Sequence, residues 1–344
     1  MKKLSLFNKV IFFLNSFFVL VTLVSVVVPF VPVTNMPTLS ILSLVVPVLI
    51  LIHAFFIVYW LLRRKKQFLL SALIVILWYF TLGPFYQFSN IGSEKNLKKG
   101  NLSMMSFNVR SFNKYGWIAN SELDNEIISL VKQSNPDIIC FQEFSIIKIK
   151  EFDDYDYSFK TPDGTNKSFQ TIFSKFPIIK GESLNFPNSI NNGIFVDILF
   201  QQDTVRVYNI HLQSFSIVPE INTIKTEESS KLFAKSRRVM LKQYEQANLI
   251  RENMEQTHHK KILAGDFNNT QYSNVYRKIK GDMQDSYFKK GKGFGRTYNL
   301  LGFPIRIDYI LADPEFEILS HQNFNEKLSD HYPVMATLRL NSNQ

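Results

Sequence analysis

Apolar residues are distributed along this chain in two distinct patterns. Up to about residue 90 they run almost without interruption, in stretches of roughly Val10–Val33, Leu39–Leu62 and Phe68–Phe88. Beyond that point they come in short bursts that each stop on a polar residue. The long runs exceed the ~20 residues a helix needs to cross a ~30 Å hydrocarbon core. They predict three transmembrane helices (about 10–33, 39–62 and 68–88) forming a membrane anchor over residues 1–90. The first run is too long for the ~7–15-residue apolar region of a signal peptide, and two more follow it. Tyr59-Trp60 and Trp78-Tyr79-Phe80 suit either interfacial anchors or lipid-facing bulk.

A polar linker, "IGSEKNLKKG" at residues 91–100, precedes a second region, 101–344, long enough for one large domain with a substantial core. Within it "LSMMSFNV", "DIICFQEF", "FQTIFSKFPI", "GIFVDILF", "KKILAGDF", "PIRIDYILAD" and "PVMATLRL" read as strands, with a hairpin around Gln202-Asp203. Helical spacing at Leu123, Ile127, Leu130 and Val131 predicts a helix over Ser121–Ser134 that closes before Pro136. A charged, mobile loop is expected over about Ser214–Ser230, then a long helix over about Lys231–Gln256. Many strands with few crossover helices favour an α/β fold of two packed sheets with helices outside.

Charge sharpens the division. The net charge is +10, from 39 Lys and Arg against 29 Asp and Glu. The first 90 residues contain no acid and seven bases: Lys2, Lys3, Lys9, Arg63, Arg64, Lys65 and Lys66. The remainder holds 32 bases against 29 acids, so the basic character belongs mostly to the flanks of the apolar runs and argues against a strongly basic nucleic-acid surface. The loop between the first two runs, "PVTNMPT", has no charge. The positive-inside rule then predicts a multi-pass integral membrane protein, of the bacterial inner membrane, with a cytoplasmic N-terminus and an extracytoplasmic C-terminal domain. The single cysteine, Cys140, lies in an apolar run and reads as a core residue. His53 falls mid-membrane, where an ionisable residue is a functional candidate; the preferred reading is a neutral imidazole hydrogen-bonded to a neighbouring helix.

The chemistry concentrates at strand ends. Asn108, Glu143, His211, Asp266 with Asn268, Asp308 and Asp330-His331 each read as following an apolar strand or sitting in its last turn, the positions from which a rigid scaffold presents side chains over a cleft. Glu143, Asp266 and Asp330 are hard oxygen ligands, Asn108 and Asn268 add amide oxygens, and such donors suit Mg²⁺, Mn²⁺ or Ca²⁺. His211 and His331 can move protons near neutral pH, and Asp308 can hold one of them in its tautomer. There is no persuasive nucleophilic Ser or Cys. Water as nucleophile, a metal as Lewis acid and an acid–base pair fit phosphoester hydrolysis.

In order, "MSFNVRSFN", "PDIICFQEF", "YNIHLQS", "ILAGDFNNT", "RIDYILAD" and "LSDHYPV" resemble the motif set of the endonuclease/exonuclease/phosphatase superfamily over residues 104–334. The resemblance implies a four-layer α-β-β-α sandwich, the DNase I-like fold, preceded here by the three helices. It implies a Mg²⁺-dependent phosphoester hydrolase, with Glu143 as principal metal ligand, Asn108 beside it and Asp330 near the metal. Asp266 would orient or activate the water, Asn268 would hold the phosphate, His331 paired with Asp308 would transfer a proton, and His211 would be the second histidine at the phosphate. Where one nuclease branch carries an Asp two residues after the motif Asn, this chain has Arg110. That guanidinium either faces substrate phosphates, as in secreted DNase I, or pairs with a carboxylate in the cleft.

The basic Gly-rich stretch "KKGKGFGRTYN", Lys289–Asn299, is either a phosphate cradle or a solvated loop. The expected substrate is a phosphoester in nucleic acid or in a phospholipid or phosphoinositide-like molecule, the bilayer is the expected partner through the N-terminal helices, and no protein partner is inferred. The alternative is a catalytically inactive, membrane-tethered binding or scaffold protein of the same fold. Three spans leave most of the chain outside the membrane, which excludes a transporter.

Overall fold

The computed structural model describes residues 4–88, 100–215, 229–300 and 302–341. The expected linker at 91–100 lies outside the described residues apart from Gly100, and so does most of the loop expected over Ser214–Ser230. The described chain forms two compact units. One gathers the residues up to Phe85 with 230–244 and 269–277; the other gathers the remainder. This division departs from the sequence boundaries at 90 and 101, because two segments from the C-terminal region pack with the apolar helices.

In the first unit α1 spans Leu6–Val27, α2 Leu42–Leu62 and α3 Phe68–Leu82. Short 3₁₀ turns extend two of these into apolar stretches of 25 residues, Leu6–Phe30, and 24 residues, Leu39–Leu62, each long enough to cross a membrane. The third apolar helix is shorter than its expected bounds of 68–88: α3 has only 15 residues, about 22 Å at 1.5 Å per residue. Gly83, at φ 84°, and Pro84 end it. The aromatic residues after them prolong the apolar run without prolonging the helix. Buried polar side chains link the three helices. Thr22 Oγ1 lies 2.9 Å from His53 Nε2, His53 Nδ1 lies 3.0 Å from Ser71 Oγ, and Ser71 Oγ donates to Asn15 Oδ1 at 2.6 Å. One neutral tautomer of His53 satisfies the whole chain of bonds.

The second unit contains two six-stranded sheets. Sheet 1 runs β13 (Phe316–Asn323), β14 (Val334–Leu340), β1 (Leu102–Asn108), β2 (Ile138–Gln142), β4 (Thr171–Ser174), β3 (Tyr157–Lys160). Sheet 2 runs β5 (Ile178–Ser183), β6 (Gly193–Phe200), β7 (Asp203–His211), β8 (Lys260–Asp266), β12 (Asp308–Ala312), β9 (Gln284–Asp285). Alternate residues of both sheets meet in one core, among them Met104, Cys140, Val196, Val207, Ile262, Ala264, Ile310 and Ala336. This is the period-two consequence of the strand pleat, and it confirms Cys140 as a core residue.

The outer face of sheet 1 carries Phe107, Ile139 and Phe141, and is covered by α4, Leu123–Ser134, through Leu123, Ile127, Ile128 and Val131. Acidic Asp124 and Glu126 occupy the first turn of α4, and left-handed Asn135 closes it before Pro136. The long helix α5, Ser229–Glu255, reaches sheet 2 with its C-terminal half, where Tyr208 donates to Asn253 at 2.8 Å. Strands β13 and β3 were not foreseen from sequence. Both are edge strands, and β13 reads "FEILSHQN", with polar residues over its second half.

Parallel β7 and β8 pair Ile210 with Gly265, which holds φ 143° and where a Cβ would lie 2.0 Å from the carbonyl oxygen of Ile210. Gly265→Ala therefore combines a forbidden φ with a backbone clash. The expected cost is about 3 kcal/mol or more, read as a fall in the denaturation midpoint of the purified full chain. An unchanged midpoint would refute the close approach.

Candidate active site

Two rows of side chains meet at the ends of the sheets. In sheet 2 the register sets His211, last in β7, beside Asp266, last in β8, and Asp266 beside Asp308, first in β12. In sheet 1, β1 and β2 run parallel and pair Asn108 with Gln142, so Glu143 follows at the same end. Asp330 and His331 lie just ahead of β14, the antiparallel neighbour of β1. A polar bridge beneath them joins the sheets: Gln142 Nε2 donates to Asn209 Oδ1 at 2.7 Å, and Asn209 Nδ2 donates to the carbonyl of Phe141 at 2.8 Å.

Asp266 is fully buried and central. Its Oδ1 accepts from the Asn268 backbone N–H at 2.7 Å, and its Oδ2 accepts from Asn108 Nδ2 at 3.1 Å. His211 Nε2 lies 3.5 Å and His331 Nε2 3.6 Å from that Oδ2. His331 Nδ1 lies 3.0 Å from Asp308 Oδ2, and the two backbone N–H groups of Ile307 and Asp308 both donate to buried Thr297 Oγ1, at 2.9 and 3.1 Å. Asn108 Nδ2 also reaches Glu143 Oε1 at 3.5 Å. Asn268 Nδ2 donates to the Leu212 carbonyl at 3.0 Å. Arg110 takes the paired form foreseen for it: Nη1 lies 2.7 Å from Asp330 Oδ2, and the guanidinium stacks on Trp117 at 4.1 Å.

The backbone is unusual here. Arg110, Ser111, Phe112 and Asn113 all have φ between 41° and 57°, Glu143 has φ 50° and Asn268 φ 47°. Left-handed conformations cost roughly 1–3 kcal/mol each outside glycine and persist only where surroundings enforce them. The Arg110 turn is stitched to the end of β2 by Ser111 N–H donating to the Glu143 carbonyl at 2.8 Å.

Burial dominates the electrostatics. It raises the pKa of Glu143 against the opposing pull of His331, with Asp330 adding to the rise. It raises Asp266 to about 6, His331 opposing and Asp308 reinforcing. It lowers His211, against Asp266, so that ring is neutral near pH 7. Burial would lower His331 as well, yet the Asp308 and Asp266 carboxylates outweigh it and hold the imidazole well above its ordinary value. Asp266, Asp308 and His331 offer ligand atoms within 4.8 Å of one another. His331 already engages Asp308 through Nδ1, so an acid–base assembly describes this trio better than a cation cage. Glu143 and Asn108 supply the hard oxygens beside it.

All nine residues singled out from sequence therefore fall in one cleft. Two others were missed. Tyr298 stacks on His331 with ring centroids 5.1 Å apart, and Thr297 holds the backbone ahead of Asp308. Both belong to the basic Gly-rich stretch flagged for its cations. Their signal was the "TY" between that loop and "RIDY", legible only once strand β12 was placed.

The family model described as Endonuclease/Exonuclease/phosphatase family matches residues 105–331, and a domain of unknown function matches residues 8–85. No curated protein matches the chain. Among solved structures, D. rerio TDP2 humanized by 14 mutations is 17% identical with a TM-score of 0.54, covering 70% of this chain and 100% of its own. D. rerio TDP2 complexed with single-strand DNA product gives 17% and 0.53 over the same shares. The endonuclease/exonuclease/phosphatase from Bacteroides vulgatus gives 17% and 0.52, again over 70% and 100%. These likenesses show a DNase I-like α/β fold with two sheets.

The elevated His331 pKa has a testable source. Asp308→Asn is expected to lower it by roughly one to three units, followed by imidazole NMR on the full chain in EDTA. An unchanged titration would refute the pairing. Because the folded value is raised, this contribution to stability is complete below about pH 6.5, the unfolded value, and is lost as pH rises through the folded one.

Proposed function

We propose a reaction for this chain from one premise: the chain belongs to the Endonuclease/Exonuclease/phosphatase family. Members of that superfamily are phosphoester hydrolases. The reaction is attack of water on a phosphoester phosphorus, aided by a divalent metal, in a protein attached to a membrane. The observation that carries it is the Asp308–His331–Asp266 assembly set beside Asn108 and Glu143.

Asp266, with its proton affinity raised by burial, is suited to orient the water and take its proton. His331, kept cationic by Asp308, faces the same space and offers charge and a proton to the phosphate or the leaving oxygen. Neutral His211 and Asn268 bind phosphate oxygens. Arg110, with donors beyond the one spent on Asp330, lies beside them. Glu143 and Asn108 would hold Mg²⁺, or Mn²⁺ or Ca²⁺, with Asp330 close by. The donor set fits: it is hard oxygen, and a carboxylate whose pKa burial raises gains from a neighbouring cation. When bound, such an ion supplies Lewis-acid charge at the phosphoryl oxygen.

Attachment to a bilayer is supported by the two long apolar stretches, of which only 28% is buried in either case. That is too little for core helices of a soluble protein, and Phe55 and Phe80 remain 75% and 81% exposed. The uncharged first loop and the basic flanks support a cytoplasmic N-terminus. With short α3 crossing by local thinning, the C-terminal domain lies outside. The solved D. rerio TDP2 complex contains single-strand DNA product, so nucleic acid is one candidate substrate class. The near balance of 32 bases and 29 acids beyond residue 90 provides no strongly basic track, which together with attachment favours a phospholipid-like phosphoester.

The full chain in detergent micelles is expected to turn over at least one of DNA, RNA, sphingomyelin, a phosphoinositide or a generic phosphodiester. EDTA should abolish that turnover, and His331→Ala should reduce it by about 10²–10⁴-fold. Absence of EDTA-sensitive turnover on every substrate would leave the scaffold reading standing. A periplasm-active reporter fused after Gln344 is expected to be active; activity of a cytoplasm-only reporter at that point would reverse the orientation.

A further inference from the structure

The basic Gly-rich stretch is more than a solvated loop. The Gly293 N–H donates to the Gln87 carbonyl at 2.9 Å, and the Gly293 carbonyl accepts from the Gln87 N–H at 2.8 Å and from the Tyr287 hydroxyl at 2.7 Å. Gly295, at φ 62°, lies so close to Tyr287 that a Cβ there would stand 2.5 Å from the ring. Residues 286–307 contain no acid, yet include Lys289, Lys290, Lys292, Arg296 and Arg306. Pinned in this way, the stretch borders a cavity of about 820 Å³, within the ~300–1,000 Å³ of small-molecule sites. Arg296, Lys292, Tyr86 and Phe294 line it, with Asn323 of β13 and Thr337 of β14. Among the described residues no carboxylate lines it, and none of the nine cleft residues does. Every lining residue belongs to the second unit.

Arg296 is the exception among the arginines of that unit. Arg110, Arg206, Arg251, Arg306 and Arg339 each meet a carboxylate, of Asp330, Asp197, Glu255, Asp285 and Glu317 respectively. Among the described residues Arg296 meets none. Its guanidinium lies 3.9 Å over the Tyr332 ring and gives one donor to Asn325 Oδ1 at 3.1 Å. The side chain is therefore half-buried and held on a flat face, with further donors to offer. A cation drawn partly out of water without a counter-charge is costly, and a planar guanidinium so held suits bidentate recognition of phosphate. Lys292 adds a second, exposed positive charge. His321 adds none: burial lowers its pKa to about 4, and its ring nitrogens meet Ser286 Oγ at 2.8 Å and Asn323 Oδ1 at 3.1 Å. A smaller cavity of about 460 Å³ beside Arg206 lacks this character, because Asp197 neutralises Arg206 and Glu182 lines the wall.

We infer that the cavity around Arg296 is a second anion site, in which Arg296 and Lys292 hold a phosphate-type oxyanion and Tyr86 and Phe294 border whatever that phosphate carries. Two positive charges with no carboxylate match a phosphate dianion. The same chemistry serves inorganic phosphate and the headgroup of an anionic phospholipid. Occupancy of this site requires no turnover, so it stands apart from the phosphoesterase reading.

Its test is binding, read by hydrogen exchange on the full chain in detergent micelles with EDTA, which keeps divalent ions out of the cleft. The probes are inorganic phosphate and dihexanoyl phosphatidic acid. Each is expected to slow exchange over residues 292–296 and 320–325. Tighter binding of the phosphatidic acid upholds the site with a lipid headgroup as occupant, and equal binding upholds it with free phosphate. Arg296→Gln should weaken both probes by about tenfold or more. Arg251→Gln, at an arginine paired with Glu255, should leave both unchanged. Lys292→Gln alters an exposed side chain and should weaken binding by about threefold. Wild-type affinity in a folded Arg296→Gln chain overturns the site; should that chain not fold, wild-type affinity in Lys292→Gln does so. Slowed exchange confined to residues 108–112 and 266–268 would place the anion in the cleft and overturn the site equally.

Discussion

The site depends on how closely two strands of sheet 2 can approach. At Gly265 the backbone adopts φ 143° and leaves no room for a Cβ against the Ile210 carbonyl. That closeness lets the parallel β7–β8 ladder continue to its last pair, His211 and Asp266. The same two strand ends then carry the rest. Asp308 aligns with Asp266 across the other ladder of β8, and His331 is oriented by Asp308. A side chain at position 265 would separate β7 from β8 and open the 3.5 Å approach of His211 to Asp266. One residue without a side chain therefore sets the geometry of four residues with them.

Placing these groups together creates an electrostatic problem that the chemistry uses. Glu143, Asp266, Asp308 and Asp330 bring four carboxylates into a cleft with Arg110 and His331 as cations, and Asp330 already neutralises Arg110 at 2.7 Å. Such a cleft repels a phosphate. Burial answers part of the problem by raising the proton affinities of Glu143 and Asp266, and Asp308 answers another part by keeping His331 protonated. What remains is negative charge on hard oxygens, a donor set of the kind that suits a divalent cation.

Much of this was legible because strands end abruptly. An apolar run such as Ile262–Ala264 that halts on Gly265-Asp266 marks both the core and the cleft, and that signal identified eight of the nine site residues, Arg110 entering only through the family resemblance. Three features escaped it for physical reasons. Strand β13 lies at a sheet edge, so half of it faces solvent and its polar second half hides the alternation. The third helix was read too long because aromatic residues after Gly83-Pro84 are as apolar as helical ones; hydropathy measures solubility in lipid and is blind to a φ of 84°. The Arg110–Asp330 pair joins residues 220 positions apart, and which carboxylate an arginine meets is a matter of register, which no local pattern carries.

The helices carry the same logic further. A bundle that served only to keep a domain near a surface would need apolar faces and little else. Here α1, α2 and α3 are joined by a directional chain in which Thr22 donates to His53, His53 to Ser71 and Ser71 to Asn15. Thr22, His53, Ser71 and Asn15 are fully buried, where no water replaces a broken bond, so a helix that rotates or slides must abandon buried polar partners. The ladder therefore restricts the bundle to one arrangement, and the ends bearing the Pro29, Ser43 and Pro84 carbonyls hold one spacing. Pro47, which as a helix residue only weakens α2, acquires a purpose in that setting. It frees the Ser43 carbonyl, which accepts from Thr270 Oγ1 at 2.7 Å.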